Sequence, residues 1–178
     1  MKLQAIALSA AVAIGATAAT AQELKFANFT SPMHTVNATV IEKLNAELSE
    51  MTGGQLTVRG YHGGELGSGP AEQYVRVVQG VADLAWGLPG YTSSQFRKTM
   101  IIEMPGVLPA DKSGYDALWD AYEEHLAGEF PGTVPMALWT SEPNIIIMRE
   151  KVVRSPEDFE GMKIRVAGAT AGDVVEAM

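Results

Sequence analysis

The side chains able to hold or transform a small molecule are few, and Arg165 is the best placed of them. It stands in Lys163-Ile164-Arg165-Val166, where Ile164 and Val166 point one way and Lys163 and Arg165 the other. That alternation predicts a strand with one apolar face. Arg165 is near the carboxyl end of this strand, and in an open α/β sheet ligands bind at that end. A guanidinium there is suited to grip a carboxylate with two parallel hydrogen bonds. The same side chain serves equally as half of a surface ion pair. Trp86 and Tyr91 fall at a strand end and in the loop after it, so they suit a pocket wall or a core. His34, His62 and His125 share no metal-ligand spacing, and the chain has no cysteine, so no metal site is expected. Gly67-Ser68-Gly69 lacks the frame of a nucleophile elbow. No motif sets two carboxylates as an acid/base pair, so nothing here points to catalysis.

The elements that must position these groups read as strand, helix, strand. Leu24 to Asn28 alternates as a first strand, and Phe29-Thr30-Ser31-Pro32 leaves its carboxyl end as a loop. Val36, Val40, Ile41, Leu44, Leu48 and Met51 recur at helical spacing, and Gly53-Gly54 stops that helix. Leu56, Val58 and Tyr61 alternate as a second strand, which makes a βαβ unit with a parallel sheet. A helix from Pro70 to Gln79 follows the glycine-rich stretch Gly63 to Gly69. No Gly-Lys-Ser/Thr follows those glycines, so tight turning is their expected use, not phosphate binding. Ala82 to Trp86 is a third strand, leading into Gly87-Leu88-Pro89-Gly90-Tyr91. Ser113 caps a helix with Tyr115, Leu118, Trp119, Tyr122 and Leu126 on one face. Pro135 to Trp139 and Asn144 to Met148 read as further strands, joined by Ser141-Glu142-Pro143. Ser155 and Pro156 open a short capped turn with Glu157, Asp158 and Glu160 in it, Gly161 ends it, and Lys163 to Val166 follows. Thr170 to Met178 opens a last helix.

Composition narrows the class. The formal net charge is −8, and charged residues make up 19% of the chain. A globular fold is expected, not a disordered one, and nucleic acid, whose phosphates need basic patches, is an unsuitable partner. An acidic ligand would need a local cation against this field, and Arg165 supplies one. Met1 to Ala21 reads as a secretory signal, with Lys2 at its start, an apolar run, and Ala19-Thr20-Ala21 as the cleavage site before Gln22. That run is rich in Ala and Thr and falls short of the roughly 20 strongly apolar residues of a membrane span. An exported protein is expected.

Three stretches carry a family resemblance. Asp158 with Gly161-Met162-Lys163-Ile164-Arg165-Val166 resembles the central motif of the extracytoplasmic solute-binding proteins of tripartite ATP-independent periplasmic (TRAP) transporters, DctP type. Gly63-Gly64-Glu65-Leu66-Gly67 is similar to the family's G-G-x-L-G turn, and Gln79 to Ala85 to its step from helix to short acidic turn to strand. Their order and spacing agree with the family from about Leu24 to the last residue. The resemblance implies an α/β, two-lobed, type II-like periplasmic-binding-protein fold. Residues 22–140 would form a nearly complete first lobe, and 141–178 the beginning of a second, as in a C-terminally truncated chain. Ile145, Ile147, Ile164 and Val166 are then expected to lack packing partners. The implied function is a periplasmic receptor that closes on a small organic acid and delivers it to the TRAP permease, with no cofactor. Arg165 would clamp the carboxylate, while Asn28, Phe29, Trp86, Pro89 and Tyr91 would line the first lobe. Sialic-acid receptors of the family carry a second arginine where this chain has Asn144 or Ile145. Asn144 is therefore a candidate contact, and a simpler monocarboxylate with an apolar or aromatic body is favoured over a sugar acid. The competing class is an exported α/β hydrolase or isomerase acting on a carboxylate.

Overall fold

A parallel sheet of order β2-β1-β3 organises the molecule. In the computed structural model, residues 21–178 are described, so the expected signal segment lies outside them apart from Ala21. β1 (Gln22–Ala27) is central, β2 (Leu56–Tyr61) lies on one side and β3 (Leu84–Ala85) on the other. Gln22 pairs with Leu56 and Ala27 with Tyr61 across one ladder; Phe26 pairs with Leu84 and Ala27 with Ala85 across the other. Parallel neighbours need a crossover, and two helical segments provide them. A wide π-type turn, Asn37–Ile41, runs into α1 (Glu42–Met51) between β1 and β2, and α2 (Gln73–Val78) lies between β2 and β3. The α/β architecture and the parallel sheet expected from the sequence are both present.

The apolar stripe of α1 and its preceding turn meets one face of this sheet. Phe26, Val36, Ile41 and Val58 are buried together, with Leu24, Leu44, Leu48, Leu84 and Trp86 packed around them. Asn45 on α1 accepts the amide of Val58 through Oδ1 at 2.8 Å. Val58 is on an edge strand, so its outward N–H would otherwise lack a ladder partner. The glycine-rich stretch is a turn held from within. Buried Arg76 on α2 donates Nη2 to the carbonyl of Ser68 at 2.8 Å, and Gln73 donates Nε2 to that of Gly69 at 2.9 Å.

Farther along, α3 (Gly114–Ala121) starts at Ser113, whose hydroxyl accepts from the Asp116 amide at 3.5 Å. A short 3-10 turn, Pro156–Phe159, has Pro156 in its first position. There the Asp158 carboxylate accepts the amides of Arg154 at 2.8 Å and Ser155 at 3.1 Å, which lowers its pKa. α4 (Ala169–Glu176) forms where the last helix is expected.

Three expected strands are corrected. Pro135–Trp139, Asn144–Met148 and Lys163–Val166 are irregular, and none of them is hydrogen-bonded into the sheet. Period-two alternation marks a segment that suits a pleated surface, but a strand exists only where a neighbouring backbone completes the ladder. Among the described residues no such neighbour lies beside these segments. Ile145 and Ile147 are 78% and 83% exposed, as the expectation of missing partners requires. Ile164 and Val166 are instead half-buried.

Candidate functional site

β1 and β3 end at the same level, and this gathers the aromatic residues. Ala27 pairs with Ala85, and the Trp86 amide still bonds to the Ala27 carbonyl at 3.2 Å. The chains leaving β1 and β3 therefore start side by side at their carboxyl ends. Phe29 and Trp86 stack with ring centroids 4.9 Å apart and planes within 6°. Tyr91 meets Phe29 edge-on at 6.2 Å and 75°. His34 also lies against Trp86, 5.2 Å between centroids and tilted by 35°. Offset stacks and edge-to-face pairs are the arrangements that aromatic quadrupoles favour.

Asn28, next to Phe29 in the chain, is 1% exposed. Its Oδ1 accepts from the Thr30 amide at 2.9 Å and the Thr30 hydroxyl at 2.7 Å. Its Nδ2 lies 3.1 Å from His62 Nδ1. An amide nitrogen only donates, so Nδ1 of His62 is the acceptor and its proton is on Nε2. The Asn28 side chain is thus spent on shaping the turn that presents Phe29.

Pro89 opens a 3-10 turn, Pro89–Thr92, that carries Tyr91. This turn presses on the segment that carries Arg165. A Cβ on Gly90 would stand 2.9 Å from the Ala167 carbonyl oxygen, and one on Gly168 would collide with the Gly90 carbonyl. Gly168 also holds φ at 119°, a conformation that side chains disfavour. Glycine at both positions lets the two backbones touch. Arg165 then reaches Tyr91: its Nη2 donates to the hydroxyl at 2.7 Å, with Cζ 5.8 Å from the ring centroid. Arg165 is exposed, and among the described residues no carboxylate pairs with it.

Four of the residues singled out from the sequence, Phe29, Trp86, Tyr91 and Arg165, form one contiguous cluster. Pro89 opens the turn that carries Tyr91, and Asn28 braces the turn after Phe29 through Thr30. Asn144 is exposed, and no hydrogen bond or ring contact ties it to the cluster. The structure adds His34, which the sequence pointed to only as a lone histidine. It also adds Glu103, whose carboxylate oxygens would lie 3.7 Å from a Cβ on Gly90. Loss of water around that carboxyl raises its pKa. Among the described residues no group of three His, Cys, Asp or Glu is arranged to hold a metal, and no helix is long and apolar enough to cross a membrane.

A planar cation beside a wall of rings is an arrangement for binding an anion with an apolar body. The model of the family described as bacterial extracellular solute-binding protein, family 7 (DctP), matches residues 26–178. The chain belongs to this family.

Its members and solved relatives are solute-binding proteins of transport systems, not enzymes. A TRAP periplasmic solute-binding protein from Bordetella bronchiseptica, solved with (R)- and (S)-mandelate, is 29% identical with a TM-score of 0.72; the match covers 88% of this chain and 50% of that one. A TRAP solute-binding protein from Rhodoferax ferrireducens, solved with copurified benzoate, is 28% identical with a TM-score of 0.60, covering 65% of this chain and 36% of that one. A marine metagenome TRAP solute-binding protein from an unidentified microbe, described as specific for aromatic acid ligands, shares the fold at a TM-score of 0.77 and 23% identity, covering 88% and 49%. The chain therefore spans about half the length, or less, of these solved proteins. No curated protein matches it.

Proposed function

We propose that this chain is the ligand-binding part of a periplasmic TRAP receptor for an aromatic monocarboxylate, which it delivers to the membrane permease. The observation that carries the reading is Arg165, without a carboxylate partner among the described residues and 2.7 Å from the Tyr91 hydroxyl, at the edge of the Phe29–Trp86–Tyr91 rings. Its fork matches a carboxylate, and the rings match an aryl body. The relatives solved with benzoate and mandelate, both aromatic acids, support the same class. In this reading residues 22–140 and 141–178 belong to two lobes, and contacts from both to one ligand drive hinge closure. Asn144 is proposed as a second polar contact, made as its segment closes over the ligand. Asn28 acts through Phe29 and does not touch the ligand.

The test is calorimetric titration of the intact receptor with benzoate and mandelate, for wild type and Arg165→Ala. A charge-assisted, bidentate contact is worth about 3 kcal/mol, roughly a hundredfold in affinity. Arg165→Lys keeps the charge but loses the planar fork, so it also weakens binding. Unchanged affinity in Arg165→Ala would sink the clamp.

A further inference from the structure

An exposed arginine on an irregular segment has many rotamers, yet a clamp must hold one. Arg165 has a single side-chain partner among the described residues, the Tyr91 hydroxyl. We propose that Tyr91 is the positioning residue of Arg165: its hydroxyl oxygen holds Nη2 and aims the remaining guanidinium N–H groups at the ligand carboxylate. The inference rests on the reading that Arg165 grips that carboxylate.

The geometry separates the hydroxyl from the ring. Cζ is 5.8 Å from the ring centroid, while Nη2 is only 2.7 Å from the hydroxyl oxygen. The guanidinium sits at the oxygen edge of Tyr91 and not over its face, so a cation–π contact is the lesser part. A phenylalanine would keep the ring and lose the hold. Tyr91 is itself immobilised in three ways. Its amide donates to the Leu88 carbonyl at 3.1 Å, its ring abuts Phe29, and the preceding Gly90 is pressed against Ala167 and Gly168. The residue that orients Arg165 is therefore on a backbone that touches the arginine's own segment. One guanidinium N–H of five is used, which leaves a fork for the carboxylate. Preorganising that fork lowers the ordering cost at binding.

Tyr91→Phe, Arg165→Ala and the double variant of the intact receptor test this by two readouts. Without ligand, ¹⁵N relaxation of the Arg165 Nε–H is expected to show an ordered side chain in wild type and a mobile one in Tyr91→Phe. Equal mobility in the two overturns the proposal, whatever the ligand is. With benzoate, Tyr91→Phe is expected to bind about tenfold more weakly than wild type. In the Arg165→Ala background the same change is expected to cost nothing further. A tenfold loss in both backgrounds would mean that the hydroxyl meets the ligand directly, and would overturn the positioning role. If Arg165→Ala binds benzoate as wild type does, the clamp reading fails instead, and the relaxation result still decides whether Tyr91 orders Arg165.

Discussion

Glu129 gives the most direct test of how the turn beside Gly90 is held. Its Oε1 accepts the Lys98 amide at 2.7 Å, and its Oε2 accepts the Thr99 amide at 2.9 Å and the Thr99 hydroxyl at 2.8 Å. Together these start the 3-10 turn Thr99–Glu103, whose own N-cap residue provides no side-chain acceptor. That turn carries Glu103 to its place beside Gly90. Glu129→Ala removes all three bonds and leaves the buried Thr99 with an amide and a hydroxyl to satisfy. A hydrogen bond to a charged group is worth about 1.5–3 kcal/mol where water is excluded. Glu129 is only partly buried, so solvent replaces much of this, and a total of about 2 kcal/mol is the expected loss. The pH dependence supplies a second check. Burial works against the charged form of Glu129, but the bonds from Lys98 and Thr99 and the nearby Lys98 charge outweigh it and lower its pKa. A lowered acid stabilises the fold above its unfolded pKa, and that stability is lost as pH falls through the folded value. Urea unfolding of wild type and Glu129→Ala is expected to differ by about 2 kcal/mol at pH 7 and by clearly less near pH 3. A difference below about 0.5 kcal/mol at pH 7, or one that does not change with pH, would refute this role of Glu129.

Asn28→Ala strips a buried amide that serves Thr30 twice and His62 once, so a loss of about 2–3 kcal/mol is expected in urea unfolding, with faster hydrogen exchange at the Thr30 amide. An unprotected Thr30 amide in wild type would contradict that role. For Glu103 the sign is the reverse of Glu129. Loss of hydration raises its folded pKa, so the folded state binds more protons and the ionised carboxyl works against folding at neutral pH. Glu103→Gln is expected to be slightly more stable than wild type at pH 7, with the gap closing below about pH 4.5. A Glu103→Gln protein less stable than wild type at pH 7 would show that the charge has a partner.

What the sequence made legible follows the range of the interactions. β1, β2 and the stripe of α1 rest on periodicity between near neighbours, and all three appear. Parallel topology then fixes which loops meet, because strands running the same way release their loops at the same end. The family resemblance put Phe29 and Trp86 in the first lobe's lining, and this topology is why their loops meet. The three missing strands failed because alternation describes one chain, whereas a ladder needs two. Glu103 was invisible since its surroundings depend on where a distant turn packs. The contact of Gly90 with Gly168, which brings Tyr91 to Arg165, likewise joins segments far apart in the chain. Asn144 was carried over by position alone, and its segment is one of the three that form no strand.

The ring wall also limits how a ligand can fit. At 4.9 Å between centroids and 6° between planes, Phe29 and Trp86 are already in contact, so no ligand ring enters between them. One face of Trp86 belongs to this stack, and His34 lies against its ring as well. In the proposed reading an aryl group must pack on the outside of the stack, near the edge where Tyr91 and Arg165 stand. A single ring bearing its carboxylate close by satisfies both contacts at once. A long flexible acid would have to fold back to do so, and would lose conformational freedom that a rigid aryl acid does not have to lose. In that reading the prestacked rings would favour compact aromatic acids through shape, before any further polar contact is counted.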